Sequence, residues 1–313
     1  MNEQYAFSVF TPTFNRGYCL PNVYASLLSQ DFNNFEWIII DDGSTDNTKD
    51  IVNKFISENI LNIKFISQDN KGKHVAQNRA LDAASGELFL PLDSDDVIVP
   101  NALSKLWSVW SEIKSDIGYS GIGVHCMDGN GKVIGDLWPK DEMDSNDLEM
   151  TFKHHVRGEK WGPIRTDVMR QCLNDEIAGH YLSESTVWFR IANNYKKRYV
   201  NEVLRVYEIS EDSISKKSSF IRDENAESKL HSNLIFLNEF GDWYWRYDFP
   251  TAVSLCLSSM KASIGLGKHL LFGETSLINK VDGLLPKVVI TATAPVIRPY
   301  IWFQKALETR NMR

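Results

Sequence analysis

Apolar runs of strand length alternate with helix-patterned stretches through the first hundred residues, and this rhythm limits the possible folds more than any other feature. "YAFSVFTPTFNR" reads as a strand ending at Pro12, and "LPNVYASLLSQ" then carries Leu20, Val23, Leu27 and Leu28 at helical spacing. "FEWIIIDDGSTDNT" is a nearly continuous apolar strand that stops at two aspartates, after which Thr45 or Asp46 can cap a helix through "KDIVNKFISEN". "NIKFISQ", "GKHVAQNRALDAAS" and "GELFLPLDSDD" continue the series as strand, helix and strand. A period of about 25 residues leaves room for a crossover helix between parallel strands, so the expected core is a parallel sheet with helices on both faces. Ligands of such sheets bind beyond the carboxyl ends of the strands. Three strands here end in polar clusters, Thr11 to Arg16, Asp41 to Ser44 and Asp93 to Asp96, and these should meet at one rim.

The formal charge of -7 over 313 residues removes a global basic field, so nucleic acid is not an expected partner and any anion site must be local. Cys19, Cys126, Cys172 and Cys256 lack metal-type spacing and read as buried thiols, which fits a reducing cytosol. "MNEQYAFSVFTPTFNR" has no basic segment leading into a long apolar run, and no stretch holds 18 uninterrupted apolar residues. The expectation is a cytoplasmic protein, soluble or peripheral on the inner membrane face. Its oligomeric state, including a homo-oligomer, stays open.

Beyond residue 100 the alternation loosens. "IGVHCMDGNGKVIGDLWP" suggests a hairpin turning at Asp128 to Gly131, "ESTVWFRIANNYKKRY" a helix and "RYVNEVLRVYE" a strand. From about residue 211 the pattern is mostly helical. No internal repeat or low-complexity tract is present.

"FLPLDSDDVIVP" places three carboxylates after a core strand. Carboxylates two residues apart on a turning segment can face one ligand, and hard oxygens suit Mg²⁺ or Mn²⁺, with phosphate oxygens and water completing the shell. The competing reading makes Asp95 and Asp96 the cap of a helix in "VIVPNALSKLWSVW". An EF-hand does not fit, because Ile98 stands at the sixth loop position where glycine is needed.

Together "SVFTPTFNR", "IIIDDGSTDNT", "GKHVAQNRALDAASGELFLPLDSDD" and "LSESTVWFR" resemble the family 2 glycosyltransferases, whose GT-A fold is a Rossmann-like, mostly parallel sheet flanked by helices. The resemblance is strongest over residues 5 to 110 and weak past 210. It implies a nucleotide-sugar donor and a divalent metal. By position, Thr11, Pro12, Thr13 and Arg16 would lie along the nucleoside, Asp42 would bond the base, and Lys73, His74 and Asn78 would lie near the ribose or diphosphate. Asp93 and Asp95 would form the D-x-D element, with Asp93 nearer the ribose and Asp95 on the metal, and Asp96 a further candidate because the triplet permits two registers. Family members often carry Glu-Asp ahead of an aromatic helix as the base. Here Glu184 takes that position and Ser185 replaces the second acid, a departure that bears on which residue is the base.

The implied reaction is an inverting transfer from a donor, UDP-linked by expectation, to a hydroxyl of a polysaccharide or lipid-linked oligosaccharide. The rivals are a sugar-nucleotide-binding subunit without turnover and a nucleotidyltransferase, although "TPTFNRGYCL" lacks the Gly-rich phosphate loop of the latter. A dinucleotide-binding dehydrogenase is disfavoured because no G-x-G-x-x-G follows the first strand. His180 can contact metal or acceptor or be a surface or satisfied histidine, the "HHVRGEK" group of His154, His155, Arg157 and Lys160 reads as a phosphate site or a polar loop bordering the acceptor cleft, and Trp161 and Trp188 can stack on a sugar or pack in the core. Residues 284–303, apolar with Lys287 and Arg298 interspersed, suit either an anionic membrane surface or protein packing. The expected division is a catalytic domain over 1–210, with halves 1–110 and 111–210, and a helical appendage over 211–313.

Overall fold

A computed structural model describes residues 5–176, 183–207 and 226–311. His180 and the expected boundary near residue 210 lie outside them. Two compact units emerge, the first from residues 5–176 and 187–207 and the second from 183–186 and 226–311.

The first unit is built on one nine-stranded sheet. Strands β1 (Tyr5–Thr13), β2 (Phe35–Asp41), β3 (Ile63–Ser67) and β4 (Gly86–Pro91) run parallel in the order β3-β2-β1-β4. Helices α1 (Leu20–Leu28), α2 (Thr48–Glu58) and α3 (Lys73–Ala83) link them, as the alternation demanded. Strand β2 is buried along its whole length because both its faces are covered. Its side chains alternate between two cores: Trp37 and Ile39 join Phe7, Val9 and Leu103, whereas Ile38 and Ile40 join Phe10, Phe89 and Ala80. On α1 the buried stripe is Leu20, Val23, Tyr24 and Leu27, and Leu28 turns outward. Tyr24 takes the expected place of Leu28 because its ring stacks on Phe55 at 4.2 Å and its hydroxyl donates to Glu58 at 2.7 Å.

Beyond β4 the sheet turns mixed through β8 (Ile164–Arg165), β6 (Tyr119–Asp128), β9 (Lys196–Tyr207) and β5 (Asp96–Ile98), with β7 (Glu142–Ser145) also on β9. Helices α4 (Ala102–Ile113), α5 (Asp147–Phe152), α6 (Thr166–Gln171) and α7 (Ser185–Ala192) complete this region. The expected turn at Asp128 forms, with the Asp128 N–H bonded to Lys132 O at 2.8 Å. Asp96 opens strand β5 and not the following helix, which starts at Ala102, so the capping reading of the triplet fails.

In the second unit the described residues form α8 (Ala226–Glu239), α9 (Gly241–Tyr247), α10 (Phe249–Gly265), α11 (Leu277–Lys280) and α12 (Leu284–Asn311). Leu237, Cys256, Met260, Leu277 and Ile290 lie in its core. None of the four cysteines is in a disulfide, and Cys126 and Cys256 are buried while the other two are half-buried.

Candidate active site

The rim is assembled by loops that bond to one another. Thr13 pairs with Asp41 at the ends of β1 and β2, and the Asp42 N–H donates to Thr13 O at 2.9 Å. Asn15, at φ 52°, bridges the two following loops: its N–H donates to Ser44 Oγ at 2.8 Å and its Oδ1 accepts from the Thr45 N–H at 2.7 Å. Asp46 accepts from the Gly17 N–H and from the Thr48 N–H at the start of α2, whose N-cap position is taken by Asn47 and not by the expected Thr45 or Asp46. Gly43 is required at φ 86°, where a Cβ would stand 3.0 Å from the Asn70 N.

Asp42 is buried and both oxygens of its carboxylate accept hydrogen bonds. It accepts from Gln68 Nε2 at 2.7 Å and from the N–H groups of Lys71 and Gly72 at 2.8 Å each. That arrangement fixes the loop entering α3, and with it Lys73. The other nucleoside candidates separate. The Thr11 hydroxyl accepts from Trp37 Nε1 at 2.9 Å inside the core, so Thr11 braces the sheet from behind. Pro12 is half-buried, and Thr13 Oγ1 is buried without a hydrogen-bond partner. The Asn78 amide pairs with the Asn174 backbone at 2.9 Å in both directions and reaches Glu176 at 3.2 Å. His74 is buried on the same helix.

Each carboxylate of the triplet meets a cation from a different part of the chain. Lys73 Nζ lies 2.7 Å from Asp93, Arg16 Nη1 lies 2.6 Å from Asp95, and Arg205 Nε donates to Asp96 at 2.7 Å while its Nη2 makes a second contact there. Arg205 also lies 3.9 Å from Asp93 and 3.6 Å from Glu159. Burial would raise the Asp93 carboxyl, but Lys73 and Arg205 hold it below the ordinary range. Burial pushes Asp96 up to about 7, against the pull of Arg205 and with the charges of Asp93 and Asp95 adding to it. Burial likewise raises the Cys126 thiol beside Arg205 to about 12, leaving it inert.

Arg205 is the residue that sequence reasoning missed. It is 5% exposed on β9, opposite Ile98 of β5. A cation inside the apolar "VLRVY" was the available signal, since arginine is seldom buried unless paired.

Exposure sorts the three acids as metal ligands. The Asp93 side chain is 30% exposed, Asp95 13% and Asp96 0%. Asp93 and Asp95 therefore present hard oxygens at the rim, a set that fits a Mg²⁺ or Mn²⁺ shared with a diphosphate. Asp96 sits behind them, its Oδ2 committed to Arg205 and its Oδ1 sealed without a partner. Among the described residues no group of three His, Cys, Asp or Glu side chains gathers as a self-sufficient metal cage.

The sequence profile described as "Glycosyl transferase family 2" matches residues 8–173, more than half of the chain. The chain belongs to glycosyl transferase family 2. It is 32% identical over 219 residues to a protein of Campylobacter jejuni named GalNAc(5)-diNAcBac-PP-undecaprenol beta-1,3-glucosyltransferase, covering 66% of each chain. It is 35% identical over 126 residues to the Staphylococcus aureus poly(ribitol-phosphate) beta-N-acetylglucosaminyltransferase TarS, covering 38% of this chain and 22% of that one. Curated relatives including the Campylobacter protein are matched over 58% to 66% of their own length. In fold the chain is similar to S. aureus TarS 1–349 in complex with UDP-GlcNAc, with a TM-score of 0.60 at 20% identity over 82% of this chain and 72% of that one. The mannosyltransferase PcManGT of Pyrobaculum calidifontis, solved with GDP-Man and Mn²⁺, has a TM-score of 0.52 at 15% identity over 96% and 84%. The mixed sheet with its flanking helices is thus the GT-A architecture.

In this family 2 chain Glu184 is half-buried and directly precedes α7, whose Val187 and Ile191 pack into the core beside Ile40 and Phe89. Of the tryptophans singled out in the sequence, Trp161 is a core residue whose Nε1 donates to Pro91 O at 2.6 Å, bracing the strand that leads to the triplet. Trp188 packs against the α3 side of the sheet and faces Lys197 Nζ at 5.6 Å. The "HHVRGEK" group does not converge. Lys160 donates to Thr151 Oγ1 at 2.9 Å, whereas His154, His155 and Arg157 are exposed.

Proposed function

We propose that the chain is an inverting glycosyltransferase that moves a sugar from a nucleoside diphosphate donor, UDP-linked, to a hydroxyl of a polysaccharide or lipid-linked oligosaccharide. The observation that carries this reading is the rim itself, where Asp93 and Asp95 stand partly exposed with Lys73 and Arg16 at 2.7 and 2.6 Å. Both signs of charge are needed there. Lys73 and Arg16 can turn to the oxygens of a diphosphate, and the two carboxylates can then hold a divalent cation bound with it. That cation would supply positive charge against the departing diphosphate. UDP-GlcNAc in the complex with TarS and the undecaprenol acceptor in the name of the Campylobacter relative support the choice of donor and acceptor classes.

In the transfer, Glu184 takes the proton of the acceptor hydroxyl as its oxygen attacks the anomeric carbon from the face opposite the diphosphate. The new carbon–oxygen bond forms as the bond to the diphosphate breaks, and the electron pair leaves with the phosphate oxygen. Single displacement inverts the anomeric centre. Pro12 and Thr13 at the end of β1 line the nucleoside, with the buried Thr13 hydroxyl available for a bond. Asp42, which holds the loop entering α3 and so places Lys73, bonds the base through its remaining acceptor capacity, and His74 lies near the ribose or diphosphate.

Labelled UDP-sugars incubated with Mn²⁺ test the reading directly. Asp95→Ala should abolish metal-dependent transfer, and Glu184→Gln should bind donor normally but lose turnover. Normal turnover by the Gln variant would exclude Glu184 as base, and tight donor binding by the unaltered chain without hydrolysis or transfer would favour a silent binding subunit.

A further inference from the structure

Helix α12 has two unlike sides. Pro286, Ile290, Ala294 and Ile297 are buried, and Ile290, Ala294 and Ile297 share a core with Met260, Leu277 and Val281. Leu284, Leu285, Val288 and Val296 are 75%, 50%, 52% and 71% exposed, and Thr291, Ala292, Pro295 and Pro299 are exposed as well. At about 3.6 residues per turn these positions fall on one stripe, over four turns long, turned away from the core. A stripe of this length with large aliphatic side chains left in water favours a covering partner.

Charge selects the partner. Lys287 is exposed on one flank of the stripe, and the sequence places Arg298 and Lys305 at close to the same helical register about three and five turns later. Helix α12 carries four Lys or Arg residues against one Glu, although the whole chain has a formal charge of -7. A second copy of the helix would bring like charges together. An anionic surface satisfies both the cations and the apolar stripe. Among the described residues no helix is long and apolar enough to cross a membrane, so the stripe fits a helix lying in the interface.

We propose that α12 docks on an anionic lipid bilayer, with Leu284, Leu285, Val288 and Val296 in the headgroup–acyl boundary and Lys287 at the level of the lipid phosphates. The proposal deepens the transferase reading, because a lipid-linked acceptor presents its sugar at that surface. Its failure is separable, since lipid binding is measured without any sugar nucleotide.

The full chain should float with phosphatidylcholine vesicles containing phosphatidylglycerol and not with phosphatidylcholine alone, and the bound fraction should fall as salt rises. Leu285→Glu combined with Val288→Glu changes exposed positions only; it should lower vesicle affinity roughly tenfold or more while Tm and UDP binding stay unchanged. Lys287→Glu should weaken binding to the anionic vesicles by a smaller factor. Absence of flotation, equal flotation with neutral vesicles, or binding indifferent to the double substitution would each overturn the proposal. So would light scattering that shows a dimer which the double substitution dissociates, because the stripe would then be covered by a second copy.

Discussion

The two halves of the first unit's sheet build the rim in different ways. In the parallel half, from β1 to β4, the bonds that shape the rim connect neighbouring loops: Asn15 to Ser44 and Asp42 to Lys71 each span 29 residues. In the mixed half, Asp96 and Arg205 are 109 residues apart and meet because β5 and β9 pair. Local crossover units set out the acidic edge, and a distant strand brings in part of its charge balance. Three acids within four residues, Asp93, Asp95 and Asp96, would otherwise repel one another, and the charges of Asp93 and Asp95 do add to the raising of Asp96.

That contrast can be broken at Arg205. Arg205→Met should strand the buried Asp96 and cost about 3–5 kcal/mol in denaturant unfolding, whereas adding Asp96→Leu to it should restore most of the loss, since both partners are then apolar. If the double variant is as unstable as the single one, the pair is not the origin of the effect. In the parallel half the losses should be smaller. Asp42→Ala leaves the Lys71 and Gly72 N–H groups without their acceptor and should cost about 2–3 kcal/mol. Gly43→Ala forces a side chain to φ 86° and should cost about 1–2 kcal/mol, measured by the same unfolding curves.

A pH scan sharpens the comparison with the smallest effect. Burial would raise the Asp147 carboxyl, but Lys197 at 2.7 Å and the Tyr199 hydroxyl at 2.9 Å hold it below the ordinary range. A depressed carboxyl contributes stability that is full above the unfolded-state range and fades as pH falls through the folded-state value. Tm should therefore drop on the acid side, and Lys197→Met should flatten that part of the curve. An unchanged acid limb in Lys197→Met would remove Asp147 from the account.

Legibility followed the same division. Strands β1 to β4 and helices α1 to α3 could be read because each buries a periodic face within one crossover unit, and burial on both sides makes β2 a continuous apolar run. The triplet was readable as chemistry, but its internal order was not. Asp95 and Asp96 look alike in "DSDD"; β5 pairing sends one to the rim and the other beneath it. Thr11 and Asn78 were picked out by motif position, while their bonds to Trp37 and Asn174 depend on packing across the sheet and on contacts 96 residues apart. The outward turn of Leu28 depended on a ring stack that spacing alone does not encode.

Amino-acid order alone determined that apolar strands would end in acidic and hydroxyl residues along one edge, because strand periodicity and crossover handedness act over short distances. Tertiary structure decided which carboxylates reach that edge, which cation balances each of them, and which face of the last helix stays uncovered. Those outcomes depend on strand pairing and helix packing between segments far apart in the chain, where spacing carries little information about contact.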